Sequence, residues 1–364
     1  MSRKLATVRR ITSLSPIEGA DRIEVAQVDG WKVVTQKGIH RVGDLAVYFE
    51  IDSLLPELPE FEFLRKTSYV KTSQEGSGFR LKTIRMRGQV SQGLIVPIRE
   101  LTQYLCADPA DPYDQRDLNE DWLEEGQDVT ELLGVKKYER VIPAQLAGKV
   151  RGNFPGFLRK TDQERIQNYI GTFMRKYRDH TWECSLKLDG SSMTVYYYAP
   201  EDRFGVCSRN LDLIETDDNA FWTVARKFNL EEKLRAAHAY HGCGSSYAIQ
   251  GELVGPGIQG NREGLKELYF FVFDVWDIDQ QVYLDSETRR SLVEDELGLK
   301  HVPVYETCTY GFDSADGFLE YAEYAFDGGS INHPEREGLV FKSLDDPNVS
   351  FKAISNAFLL KGGD

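Results

Sequence analysis

Apolar and polar residues alternate in short runs over the first hundred positions. The runs KLATVRRITSL, DRIEVAQV, WKVVTQ and LAVYFEI are separated by VDGW and HRVGD. A period of two, broken by glycine and aspartate, predicts short strands joined by tight turns. Closely spaced strands of this kind predict a small antiparallel barrel. After FRLKTIRMRGQVSQGLIVPI the pattern gives way to a polar, acidic, proline-containing stretch reaching to about residue 130, expected to be loop and linker. The character changes again at GNFPGFLRKTDQERIQNYIGTFMRKY. There Thr161 and Asp162 are predicted helix N-caps with Glu164 close behind, and Ile166, Tyr169, Ile170 and Phe173 recur at helical spacing. From about residue 180 strands dominate, with helices predicted near 217–240 and 285–297. No internal repeat is present. The expected organisation is a small barrel with its linker over 1–145 and a second α+β domain over 146–364.

Composition narrows the class. The chain has 364 residues, 41% hydrophobic and 28% charged, with a net charge of −14. No apolar run approaches the roughly 20 residues of a bilayer-spanning helix. The start, MSRKLATVRRITSL, has no apolar signal core, so an intracellular, cytoplasmic location is expected. Five cysteines (Cys106, Cys184, Cys207, Cys243 and Cys308) form no C-x-x-C pair and are read as reduced thiols. The acidic balance argues against indiscriminate nucleic-acid binding. Basic residues nevertheless crowd 65–87 (Arg65, Lys66, Lys71, Arg80, Lys82, Arg85, Arg87) and 149–165 (Lys149, Arg151, Arg159, Lys160, Arg165), which permits a local basic track.

Six stretches of the second half carry candidate chemistry: LKLDGSS (186–192), CSRN (207–210), IQGELVGPG (249–257), YFFVFDVWD (269–277), REGLVFKS (336–343) and VSFKAISNAFLLK (349–361). Taken singly each has an ordinary explanation: a chance Asp-Gly turn, an edge carboxylate, an aromatic core strand, an exposed ion pair. Lys187 raises a further question, because an amine between Leu186 and Leu188 is a poor core residue: it is either a snorkelling edge charge or an amine held in a pocket for chemistry. An amine used as a nucleophile must be neutral, whereas a solvated lysine has a pKa of about 10.4. Desolvation between apolar neighbours and a nearby cation both disfavour the ammonium form.

In this order and spacing the six stretches resemble the motifs of the covalent nucleotidyltransferases, which include polynucleotide ligases and RNA capping enzymes. The resemblance implies a nucleotidyltransferase (ATP-grasp-like) domain of antiparallel sheets with flanking helices. It also implies ATP and Mg²⁺ (or Mn²⁺) as cofactors. Lys187 would be the nucleophile, with Leu186 beside the nucleotide and Gly190 letting the backbone approach it. Arg209 would hold ribose or phosphate, and Phe273 would stack on adenine. Glu252 and Glu337 would hold a hydrated metal or the ribose hydroxyls, with Asp189 orienting the metal's waters. Lys352 would neutralise the α-phosphate. Many relatives have two lysines in the last motif, one residue apart. Here Ser350 and Ile354 occupy the alternate positions, so Lys342 or Lys361 is expected to supply the second charge.

Ligases of DNA and capping enzymes typically carry an OB domain after the last motif, whereas this chain ends twelve residues beyond Lys352 and its barrel comes first. That arrangement, with FLRKTDQERIQN and GPGIQGN, resembles the ATP-dependent RNA ligases bearing an N-terminal OB-fold domain. The resemblance implies sealing of 5′-phosphate and 3′-hydroxyl ends, through lysyl-AMP, on RNA or an RNA-containing duplex with a nick. Arg65, Lys71, Arg85, Arg87, Lys160 and Arg165 are the expected nucleic-acid contacts. A capping-type guanylyltransferase, a DNA ligase and a non-catalytic nucleic-acid-binding module remain alternatives.

Overall fold

The structure, a computed structural model, describes residues 4–72, 76–105, 123–138, 149–240, 245–324 and 329–361. Most of the acidic stretch expected to be linker, and Cys106 and Cys243, lie outside them. The chain forms two compact units: Met1–Ile142 with Leu359–Asp364, and Pro143–Phe358. The expected second domain ran to residue 364, but the last six residues group with the first unit.

In the first unit the alternating runs become an antiparallel sheet in the order Leu94–Pro97, Leu45–Phe49, Ala6–Pro16, Ile23–Val28, Trp31–Gln36. A second sheet contains Ser53–Leu55, Gly76–Arg80 and Tyr69–Thr72. The apolar members of each alternation (Val8, Val47, Phe49, Leu55, Phe79, Val96) meet in one core, which is why the register holds. A separate hairpin pairs Thr83–Met86 with Gln89–Gln92 through a turn at Arg87 and Gly88, both with positive φ. The hairpin exposes Ile84, Arg85, Met86 and Arg87.

The second unit is built on two sheets. The larger runs in the order Val150–Asn153, Leu211–Leu213, Arg203–Cys207, Ser191–Tyr198, Tyr247–Val254, Tyr269–Asp277, Val282–Tyr283. Its core face carries Val195, Ile249, Phe270 and Val272, covered by the helices Ala220–Lys227 and Leu230–Tyr240. The smaller runs Glu164–Arg165, Ser350–Ile354, Gly338–Ser343, Trp182–Lys187, Val304–Cys308, and packs Trp182, Cys184, Phe341 and Phe351 against Phe173 and Phe318. Pairing is antiparallel except for two short edges, where Glu164–Arg165 lies parallel to Ser350–Ile354 and Lys300–His301 parallel to Tyr269–Asp277.

One helix expectation needs correction, and the other two helical regions are present with added detail. Thr161 and Asp162 cap nothing: the chain stays extended through Glu164 and Arg165 to pair with the last strand, and the helix Ile166–Thr172 starts without a side-chain cap. Strand pairing outweighs the local capping preference there. The predicted helix 217–240 is two helices, capped by the Asn219 side chain and broken at Asn229, whose φ is +50°. The segment 285–297 begins at an Asp285 cap and widens into a π-helical turn over Ser291–Glu296.

Candidate active site

Lys187 is the last residue of the strand Trp182–Lys187, and Leu188–Gly190 carry the chain from the smaller sheet into the larger one at Ser191. Lys187 thus sits at a strand end where the two sheets join, over apolar residues. Leu186 and Leu188 are buried there with Val254, Phe271 and Val302, and Phe273 packs at the edge of this cluster.

Register brings the motifs together. Lys187 pairs with Gly338, so Glu337 arrives beside it, and Lys187 Nζ lies 2.6 Å from Glu337 Oε1. Ser192 pairs with Glu252, which places that carboxylate on the neighbouring strand. Two glycines make the approach possible. A Cβ on Gly190 would collide with the Leu253 carbonyl and come within 2.9 Å of Glu252 Cγ, and one on Gly338 would collide with the Ala353 carbonyl. The Gly190 constraint therefore comes from the protein's own strand rather than from room for a nucleotide.

Side chains alternate along a strand, so one face of the smaller sheet shows three rows. The first holds Lys187, Gly338 and Ile354, the second Ser185, Val340, Lys352 and Arg165, the third Glu183, Lys342 and Ser350. Lys352 is therefore one row in from Lys187, near enough to act electrostatically on Glu337. Arg165, expected on nucleic-acid grounds alone, is buried in register with Lys352. Lys342, a candidate second phosphate lysine, is instead engaged: its ammonium donates to the Asp274 carboxylate and the Phe273 carbonyl. Lys361 belongs to the other unit.

The electrostatics correct one expectation. Burial pushes the Lys187 pKa down, but Glu337, Glu252 and Asp189 outweigh it and hold the amine above its ordinary value. Burial together with the neighbouring carboxylates pushes Glu252 up to about 8, against the pull of Lys187 and Arg209. Glu337 is raised for the same reasons, its burial opposed chiefly by Lys187. Arg209 is exposed and paired with Asp162, which gives that residue a role other than capping.

The remaining basic candidates are dispersed. Lys160 donates to Asn210 Oδ1 at 2.8 Å, next to Arg209. Arg65 is matched by Glu57 and Glu62 at 2.7 and 2.6 Å and lies over the Tyr69 ring. Lys71, Arg85 and Arg87 are exposed, with Arg85 donating to the Gly88 carbonyl at 2.8 Å.

Nothing in the sequence pattern marked the irregularity at Phe273. Gln250 pairs with Asp274 and Gly251 with Val272, so Phe273 is the extra residue of a β-bulge. Core-facing positions shift from Phe270 and Val272 before it to Val275 after it. The bulge thus turns Phe273 and Asp274 together towards the face that carries Glu252.

With this geometry in view, comparison with known proteins is decisive. The profile of the RNA ligase family matches residues 180–354, and that of an OB-fold domain matches residues 5–98. A variant of Naegleria gruberi RNA ligase solved with AMP and Mn is 40% identical, over 99% of both chains, with a TM-score of 0.84. The chain belongs to the RNA ligase family. A second variant of the Naegleria RNA ligase, solved with ATP and Mn, is 40% identical over 98% of this chain and 99% of that one (TM-score 0.82). The same ligase solved with pyrophosphate is 41% identical over 99% of both (TM-score 0.83). No curated protein matches the chain. This RNA ligase therefore carries its OB-fold domain at the N-terminal side of the catalytic domain, in the mixed α+β arrangement expected. Among its described residues no helix is long and apolar enough to cross a membrane.

Proposed function

We propose that this RNA ligase uses ATP to adenylylate Lys187, transfers AMP to a 5′-phosphate, and seals that end to a 3′-hydroxyl, which displaces AMP, at a nick in an RNA-containing duplex. The carrying observation is the amine of Lys187 held 2.6 Å from Glu337 at the joint of two sheets, within electrostatic reach of Glu252 and Asp189. In the first step the lysine nitrogen bonds to the α-phosphorus, the bond to the bridging oxygen breaks, and pyrophosphate leaves. Lys352 neutralises charge on the α-phosphate, Arg209 holds ribose or phosphate, and the Phe273 ring supports the base.

The carboxylates fit a hydrated hard cation. Glu337 Oε2 is buried without a hydrogen-bond partner among the described residues, and oxygen donors are what Mg²⁺ or Mn²⁺ prefers. Among those residues no three acidic or histidine side chains cluster closely enough to cage a metal directly, in keeping with contact through water. A divalent ion held by Asp189, Glu252 and Glu337 would offset their charge and so disfavour the ammonium form of Lys187.

The substrate reading rests on the resemblance and on the exposed basic residues. The OB-fold domain displays Lys71, Arg85 and Arg87 for phosphate contacts, and Lys160 serves the same role in the catalytic domain, whereas the buried Arg165 is not among the exposed contacts. The 2′-hydroxyl is the feature by which RNA on the 3′-hydroxyl side is told from DNA. An intracellular, cytoplasmic location is part of this proposal, supported by the free thiols of Cys184, Cys207 and Cys308.

The test is label transfer. The protein is incubated with α-³²P-ATP or α-³²P-GTP and a divalent cation, beside Lys187→Ala, and denatured on a gel. Label from ATP alone, lost in the variant, is expected. Label from GTP points to a capping-type enzyme, and no label from folded protein refutes the assignment. The labelled enzyme is then offered nicked duplex, single strands and blunt ends. Sealing restricted to the nick is expected, and equal sealing of single strands overturns that part.

A further inference from the structure

Two rows in from Lys187, between the two sheets, lies a group of buried ionisable residues that the chemistry above does not use. Glu183, Arg289, His301, Asp274 and Lys342 are each less than a tenth exposed and come from five different elements. The Arg289 guanidinium donates to the Glu183 carboxylate, and through Nε to His301 Nε2 at 3.1 Å. Ser286 donates its hydroxyl to the same carboxylate. Glu183 is directly across from Lys342 in the strand pair and on the same face as Lys187, two rows in. Lys342 in turn reaches over to the bulge in the larger sheet, where it donates to Asp274 and to the carbonyl of Phe273. That carbonyl belongs to the one residue of the bulge that has no strand partner.

We propose that Glu183 and Arg289 are positioning residues of this RNA ligase: acting through Lys342, their buried ion pair holds the bulge that presents Phe273 to the base of the nucleotide. The proposal rests on the lysyl-nucleotide reading and specifies how its base platform is set. A buried charge is costly unless it is paired and hydrogen-bonded, and four such groups without a purpose would be a poor exchange for an apolar core. Their charges are balanced. Arg289 and Lys342 face Glu183 and Asp274, while burial and Arg289 together push the His301 pKa down to about 4, which keeps it neutral. Around Lys342 the groups that set its charge are Asp274 from the larger sheet, Glu183 from the strand of Lys187, Arg289 from the helix Ser286–Arg290, and the nearby His301. The last strand places the uncharged Ser350 directly across from Lys342 and Lys352 one row away on the same face. Burial lowers the Lys342 pKa to about 8, with Asp274 opposing the fall, Arg289 adding to it and Glu183 opposing it.

Glu183→Gln removes one of the two anions that keep Lys342 charged and leaves Arg289 uncompensated beside it. The experiment compares wild type with Glu183→Gln, Arg289→Lys and Arg289→Met by the rate of lysyl-AMP formation, across ATP concentration and pH. Glu183→Gln and Arg289→Met are expected to raise the KM for ATP by about tenfold, with kcat at saturating ATP within about threefold, because the chemical groups are untouched. In Glu183→Gln the alkaline rise in KM should move to lower pH, since Lys342 loses its proton sooner. Arg289→Lys, which keeps a cation opposite Glu183, should stay near the wild-type KM. A lowered Tm with unchanged KM and an unmoved pH limb would reduce the pair to a structural role and overturn the proposal, as would loss in kcat alone. Wild-type protein that takes no label from ATP would overturn the lysyl-AMP reading itself, and this proposal with it. Label in wild type with an unchanged variant KM overturns the positioning role only.

Discussion

Glu252 should destabilise the ligand-free protein at alkaline pH, and Glu252→Gln should relieve it. The carboxyl has an ordinary value of 4.5 and is raised to about 8 in the folded chain, first by burial and then by Glu337 and Asp189. Between those values the folded state binds more protons than the unfolded state, so stability falls as pH rises. The full gap corresponds to at most ~5 kcal/mol, at about 1.36 kcal/mol per pKa unit, and the figure already contains the attraction of Lys187. Because Glu252 is only half-buried at a cleft, water screens part of this, and about 1–2 kcal/mol is a realistic share. For a domain of this size that is a Tm difference of roughly 2–8 °C. The assay is thermal unfolding of wild type and Glu252→Gln in chelator, without nucleotide, from pH 5.5 to 9. The two should nearly coincide at the acid end, with the variant pulling ahead by pH 8.5. Adding Mn²⁺ should close the gap, since the ion stabilises the ionised carboxylate. A variant less stable than wild type at pH 8.5, or a gap independent of pH, would refute the reasoning.

Three further outcomes follow from the same geometry. Gly190→Ala should lose the labelled intermediate, because its Cβ meets the Leu253 carbonyl and Glu252; circular dichroism distinguishes this from unfolding. Phe273→Ala should raise the KM for ATP by an amount matching the ~1–3 kcal/mol of a stacked base, whereas Phe273→Trp keeps it near wild type. Replacing Arg85 and Arg87 together by alanine should weaken nick binding and flatten its dependence on salt by roughly 1.5–2 in logarithmic slope, read by titration at several ionic strengths.

The strands were legible because their signal is local. Alternation in Ala6–Pro16, Ile23–Val28 and Trp31–Gln36 states which side faces the core, and nothing elsewhere contradicts it. The site was legible for a different reason: Lys187, Glu252 and Glu337 are each carried by a short motif at or beside a strand end. Where local preference met a long-range demand it lost. Thr161 and Asp162 have good capping side chains, yet the chain beside them is claimed by pairing with Ser350–Ile354, nearly two hundred residues away. The bulge at Phe273 was invisible for the same reason, since an aromatic run reads alike whether or not it contains one extra residue.

The charge of Lys187 shows the limit most sharply. Leu186 and Leu188 predict a dry amine, and they are indeed buried. Burial alone would favour the neutral nucleophile, but Glu252 and Glu337, 65 and 150 positions further along the chain, are folded against it and hold the proton on. Flanking leucines therefore cannot be what makes the amine reactive. Reactivity has to be gained when the carboxylates are occupied, and a ligand-free site that keeps its nucleophile as an ammonium is protected from adventitious acylation or phosphorylation. By this reasoning the acidic residues would act twice, holding the proton on the empty enzyme and, if a divalent cation takes their charge as proposed, releasing it.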